Sequence, residues 1–160
     1  MKKIIMIPLL LAFLIPSISW GADFYKGLVA YKNGDFATSL REWIPLAEQG
    51  NFTVQFNLGV MYGSGIGVPQ NDNTAVKWYA RSAEQGYTSA QKNLSIQYAL
   101  GQGVIKDYVQ SLMWANIAQY NGTENTKKLI KFLVRRMTQE QIARAQDLAQ
   151  ECIVKDYKGC

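Results

Sequence analysis

The chain repeats itself, and this limits what it can fold into more than any other feature. Residues 51–86 and 87–122 align without a gap as two units of 36 residues each. Gln55 falls on Gln91, Asn57 on Asn93, Leu58 on Leu94 and Tyr62 on Tyr98. Gly65-Ile66-Gly67-Val68 falls on Gly101-Gln102-Gly103-Val104, Trp78 on Trp114, and Gly86 on Gly122. A fixed period of this size marks arrays in which one unit cannot bury its apolar face alone and stacking supplies the core. Apolar residues within each unit recur at helical spacing, as in Val54, Leu58, Met61 and Tyr62, or Ala75, Trp78, Tyr79 and Ala83. Each unit therefore reads as a helix, a glycine-rich turn and a second helix.

Composition fits such an array and narrows its chemistry. With 48% hydrophobic and 18% charged residues over 160 positions, the chain is neither disordered nor low in complexity. It contains no His, which removes the commonest general base and the commonest metal ligand. Two cysteines and 12 carboxylates remain, so no catalytic residues, no cofactor and no metal site are expected. The net charge of +5, or +3 once Lys2 and Lys3 are subtracted, is too small to imply a nucleic-acid partner.

Taken together, Leu58-Gly59-x-x-Tyr62, the Gly-x-Gly-Val turns, Pro69, Ala75-x-x-Trp78-Tyr79 and Ala83-Glu84-Gln85-Gly86 resemble the Sel-one-like repeat (SLR), a relative of the tetratricopeptide repeat. The resemblance covers residues 51–86 and 87–122, and residues 22–50 are similar to a tetratricopeptide-type helical pair in front of them. In that pair Gly34-Asp35-Phe36 forms the turn, and Trp43 and Ala47-Glu48-Gln49-Gly50 lie in the second helix. The unit 87–122 departs from the pattern. Ser95 stands for the packing glycine, Ile105 for the turn proline, and Ser111 and Ala115 for the alanine and aromatic of the second helix. Looser packing and an atypical terminal repeat are expected there. The expected fold is all-α, a right-handed α-solenoid of stacked helical hairpins.

After Gly122 the period stops. Residues 126–137 read as a helix with Leu129, Ile130, Leu133 and Met137 on one side. Thr138-Gln139-Glu140-Gln141 is a capping-box signature for a last helix striped by Ile142, Ala145, Ala149 and Cys152. Residues 123–160 are thus expected to cap the stack.

The N-terminus carries an address. Met1-Lys2-Lys3 precedes an apolar run from Ile4 to Ile18, and Ser19-Trp20-Gly21 satisfies a small-x-small cleavage site, so residues 1–21 read as a signal peptide. A retained anchor is the alternative. No cysteine near the junction offers a lipid attachment point, and a periplasmic or secreted product with no integral membrane anchor is expected after cleavage. The two cysteines, Cys152 and Cys160, suit an oxidising compartment and are expected to form a disulfide. A continuous helix would separate them by about 12 Å, so the last helix must end between residues 153 and 159. A redox pair is the alternative, at a spacing longer than Cys-x-x-Cys.

Several candidate sites follow. The glycine loop 63–67 follows a helix and not a strand, so it reads as a left-handed turn and not a phosphate cradle. Trp43, Trp78 and Trp114 recur near the repeat period and are expected in the core. Lys127, Lys128, Lys131, Arg135 and Arg136 form the one basic concentration, either a solvated face or a strip for an acidic partner, cell-wall polymer or membrane surface. Asn-x-Ser/Thr strings begin at Asn51, Asn93 and Asn121.

Stacked hairpins present the first helix of each unit to a concave groove. By register with related repeats, Phe56, Val60, Lys92 and Ile96 face that groove, with Phe56 and Val60 exposed. The resemblance implies a scaffold or adaptor that binds a partner protein or peptide there. Exported bacterial members are similar in taking part in envelope and host-interaction processes. Two other readings stand beside it: a cell-wall or glycan binder using Tyr62, Tyr98 and Trp114, and a β-lactamase-like hydrolase. Ser64, Ser82 and Ser95 have no Ser-x-x-Lys context for the latter.

Overall fold

The structure, a computed structural model, describes residues 21–160. The basic start, the apolar run and most of the cleavage junction lie outside the described residues. Among the described residues there are eight α-helices and no strand, arranged as successive hairpins in the manner of an SLR solenoid. Helices α1 (Phe24–Lys32) and α2 (Phe36–Glu48) make the first pair, α3 (Phe52–Ser64) and α4 (Asp72–Ala83) the second, and α5 (Thr88–Leu100) and α6 (Tyr108–Tyr120) the third. A short 3-10 turn at Glu124–Thr126 leads into α7 (Lys127–Val134) and α8 (Gln139–Val154), which both pack on α6.

Short polar side chains set the helix starts. Asp23, Asp35, Asn51, Asn71 and Asp107 each accept a hydrogen bond from a first-turn N–H, filling donors that a helix leaves without partners. At α8 the expected capping box is present: Thr138 Oγ1 accepts from Gln141 N at 3.2 Å, and Gln141 Oε1 accepts from Thr138 N at 2.9 Å. Glycine sets the turns. Gly67 and Gly103, both at φ 71°, lie against the first residue of the preceding unit's second helix, Phe36 and Asp72 respectively. A Cβ at either would collide with that residue, so only glycine fits both the left-handed backbone and the close approach.

Within the first two hairpins a glycine of the first helix lies under an aromatic ring of the second. Gly27 sits under Trp43, and Gly59 under Tyr79. Trp43 is thereby the counterpart of Tyr79, which corrects the reading of the three tryptophans as one series. Trp43 and Trp114 are core residues, 1% and 2% exposed. Trp78 is only half-buried, with the Arg81 guanidinium 4.8 Å from its ring centroid.

The third hairpin solves the same contact differently. Ser95 replaces the glycine and Ala115 the aromatic, and the gap is closed by hydrogen bonds. Ser95 Oγ donates to Ser111 O at 2.6 Å, and Ser111 Oγ donates to Ser95 O at 2.8 Å. All three side chains are fully buried, so the expected looser packing is not found.

Between hairpins, a buried glutamine recurs. Gln55 Nε2 donates to Ala47 O at 2.8 Å, and Gln91 Nε2 donates to Ala83 O at 3.2 Å. Each amide oxygen is filled from the following turn, by Gln85 Nε2 on Gln55 at 2.8 Å and by Asn121 Nδ2 on Gln91 at 3.0 Å. Apolar packing accompanies these bonds: Trp43, Ala47, Val54, Leu58 and Met61 form one core, and Tyr79, Leu94, Trp114 and Ile117 belong to the next.

The chain end closes on this framework. Cys152 and Cys160 are disulfide-bonded with Cα atoms 5.7 Å apart, and α8 ends at Val154 as that separation requires. Asp156 and Tyr157 adopt left-handed conformations to turn the tail back. Tyr157 then donates to Asn121 Oδ1 at 2.8 Å. No helix of the described residues is long and apolar enough to cross a membrane.

Candidate functional site

The first helices of the hairpins present a row of half-buried side chains. Phe56 and Val60 stand one turn apart on α3, and Lys92 and Ile96 occupy the matching places on α5. None of the four is exposed, which corrects the expectation for Phe56 and Val60. Phe56 packs between Tyr79 and Tyr87, its ring centroid 5.9 Å and 5.2 Å from theirs. It is partly a core residue because Tyr79 of α4 and Tyr87 at the start of the next unit close over it.

Val60 instead borders an opening. With Leu28, Tyr31, Trp43 and Asn57 it lines a cavity of about 100 Å³ between α1 and α3. Lys92 and Ile96 do not reach that cavity. Leu28, Tyr31 and Asn57 lie outside the residues expected for the groove, and one sequence signal points to them: aligning Gly27 with Gly59 puts Leu28 at the place of Val60.

The basic residues are all exposed but do not form one helical strip. α7 stops at Val134, so Arg135 and Arg136 lie in the turn after it. Arg136 folds back, its guanidinium 3.7 Å from the Phe132 ring centroid and its Nη1 donating to Phe132 O at 3.1 Å. Lys127 approaches Glu124 at 3.9 Å, and Lys128 and Lys131 stand on the exposed side of the helix.

At the opposite end, Glu42 is buried beneath Lys26. Its Oε1 lies 2.7 Å from Lys26 Nζ and 3.7 Å from Arg41 Nη2, and its Oε2 accepts from Asp23 N at 3.2 Å. The Lys26 contact, helped by the Asp23 N–H, holds the carboxyl below the ordinary range. Glu42 occupies the place that Trp78 and Trp114 hold in later units, and Lys26 that of Leu58 and Leu94. An ion pair thus stands where the inner repeats place the buried Leu58, Leu94 and Trp114 and the half-buried Trp78, giving the first hairpin a polar outer end.

Other candidates prove to be occupied. Ser82 Oγ donates to Phe52 O at 2.8 Å and Ser95 is bonded to Ser111, so neither hydroxyl is poised as a nucleophile. Asn51 Oδ1 caps α3, and Asn121 is held between Gln91 and Tyr157. Trp114 is buried, and Tyr62 and Tyr98 pack against the central core. Burial also pushes the Tyr79 and Tyr98 phenols above their ordinary value. Among the described residues, no group of three or more His, Cys, Asp or Glu side chains is placed to hold a metal.

No curated protein matches the sequence. Two of the solved structures with the same architecture are similar over most of the chain. One, a protective antigen of uropathogenic Escherichia coli strains with an SLR fold, is 27% identical with a TM-score of 0.75, covering 82% of this chain. This chain spans only 30% of that protein's length. The other, a Sel1 repeat protein from Oxalobacter formigenes, is 34% identical with a TM-score of 0.62, covering 68% of this chain and 84% of its own. The Sel1 repeat model matches residues 54–87 and 88–122. With the Gly59–Tyr79 contact and the Gln55 and Gln91 bonds already seen in those residues, these matches make the chain a member of the Sel1 repeat family.

Proposed function

We propose that this protein is an exported, non-catalytic adaptor that holds an extended or helical segment of a partner protein along its first helices. Sel1 repeat proteins generally serve as scaffolds for protein–protein interaction. The observation that carries the reading is the opening between α1 and α3, where Leu28, Tyr31, Trp43 and Val60 surround about 100 Å³ beside the polar Asn57. Such a cleft takes one apolar side chain of a bound segment, and Asn57 is placed to satisfy that segment's backbone. Phe56, Lys92 and Ile96 extend the surface across the second and third hairpins.

Export rests on residues 1–21 and on the bonded cysteines, a pairing typical of oxidising compartments. Mass spectrometry of the chain recovered from a periplasmic extract should show a start at Ala22.

A photo-crosslinking amino acid at Asn57 or Val60 tests the groove. One dominant protein adduct is expected from both positions, with none from Gln150 on the outer face of α8, and Leu28→Glu should abolish it. Equal labelling from Gln150, or adducts with cell-wall fragments alone, would overturn the reading.

A further inference from the structure

We propose that Lys106, Tyr108, Phe132 and Arg136 form a second docking site, distinct from the groove, for an acidic segment of a partner protein. The four side chains make a continuous row. Lys106 Nζ stands 4.8 Å from the Tyr108 ring centroid, and Tyr108 meets Phe132 edge to face with centroids 6.4 Å apart. Arg136 covers the far ring, its guanidinium 3.7 Å from the Phe132 centroid. The residues come from the loop before α6, the start of α6, α7 and the turn after α7, so only the folded chain brings them together.

Cations stacked on rings are held in place while their outward N–H groups stay open to an anion. Lys106 and Arg136 are both exposed. Beside the row lies a depression of about 320 Å³ lined by Lys106, Asp107, Tyr108, Val109 and Gln141. Ile105, 90% exposed, precedes Lys106 in the same loop and offers an apolar contact at its edge.

Charge decides the occupant. Lys127, Lys128 and Lys131 extend the positive surface along α7, and Arg135 continues it in the turn after the helix. Six cations share residues 106–140 with three carboxylates, of which Asp107 accepts from Val109 N and Gln110 N and Glu124 stands exposed 3.9 Å from Lys127. Glu140 stands in the first turn of α8. A segment with carboxylates flanking an apolar residue complements this arrangement. A bilayer suits it less, because the depression beside the row is a hollow that a flat surface does not fill.

The test uses the whole chain and a fluorescent Asp-Leu-Asp-Leu-Asp-Leu peptide, with an Asn-Leu copy as control, followed by anisotropy. The acidic peptide should bind at least about tenfold more tightly than the neutral one, and Lys106→Gln with Arg136→Gln should remove that difference. Lys127→Gln with Lys131→Gln deletes the same charge outside the row and should weaken binding less than about threefold. Circular dichroism identical to the parent confirms that both pairs fold. Equal loss in both pairs, or equal binding of the two peptides, overturns the proposal. Binding to phosphatidylglycerol vesicles without peptide binding overturns it in favour of a lipid surface.

Discussion

Asn121 fills Gln91 as Gln85 fills Gln55, in each case across 30 residues of sequence and from the turn that closes the hairpin. The glutamine spends its other end on a carbonyl of the preceding hairpin, so one side chain ties three consecutive helical segments. Gln55 and Gln91 are 3% and 0% exposed, and a buried amide in this position must find partners for both ends.

Replacing Gln91 by Leu keeps the volume but leaves Asn121 Nδ2 without its partner and takes from Ala83 O one of its two donors, Gly86 N remaining at 2.9 Å. The expected loss is about 1–3 kcal/mol in urea unfolding, because the stranded amide stays desolvated. Glu84→Gln on the same turn should change stability by less than about 0.5 kcal/mol. A Gln91→Leu chain as stable as the parent would show that the apolar contacts alone fix the spacing of the hairpins.

The glycine-under-aromatic contact predicts a non-additive pair. Gly59→Ser puts a side chain into the Tyr79 ring and should cost about 1–3 kcal/mol by overpacking. Tyr79→Ala removes a core aromatic and should cost about 3–5 kcal/mol. Together they put Ser and Ala where Ser95 and Ala115 stand in the third hairpin, with Ala75 in place of Ser111 supplying a carbonyl but no hydroxyl for the second bond. The double variant should therefore lose at least about 1 kcal/mol less than the sum of the single losses. Strict additivity in thermal or urea melts would mean that the two hairpins hold their helices at unrelated distances.

Much of this was legible because a solenoid writes its contacts at a fixed period. Gln55 and Gln91, the Gly-x-Gly turns and the Thr138 capping box could all be read as recurring or local signals. The orientation of a helix about its axis could not. Phe56 and Val60 share a face by spacing, yet one packs between Tyr79 and Tyr87 while the other borders an opening, because the neighbours come from different hairpins. The tryptophans misled for a related reason. Trp43 lies 35 residues before Trp78, one short of the period, and that single step moves it from the half-buried position to the one over the helical glycine. The row from Lys106 to Arg136 was legible only in halves: Arg136 belongs to the basic concentration and stands four residues after Phe132, but the contact of Tyr108 with Phe132 joins two separate stretches of chain.

Acid should loosen the first hairpin through Glu42. Its folded pKa lies below its unfolded value near 4.5, so the unfolded chain binds more protons as pH falls. The contribution is present above that unfolded value and is lost as pH falls through the folded one. Asp35, lowered by its bonds to Thr38, acts in the same direction. Glu42→Gln cannot titrate, so the difference in melting temperature between pH 7 and pH 3 should be smaller in this variant than in the parent. An identical pH profile for the two chains would show that the Lys26 contact contributes nothing that protonation removes.

The disulfide and Tyr157 should act on the same end of the molecule. Tyr157 N donates to Cys152 O at 2.9 Å while its hydroxyl reaches Asn121, so the closed tail presents the ring to the Gln91 network. Cys160→Ser opens the loop and should destabilise the chain by roughly 2–3 kcal/mol in the chain-entropy account, Cys152 being buried and left as a free thiol. Tyr157→Phe keeps the bridge and removes one hydrogen bond, at a cost of about 1 kcal/mol. In an array that transmits stability between neighbours, both changes should raise hydrogen exchange most in α6 and α8 and least in α1 and α2. Uniform acceleration along the whole chain would instead mean that the hairpins unfold as one unit, with the tail stabilising all of them equally.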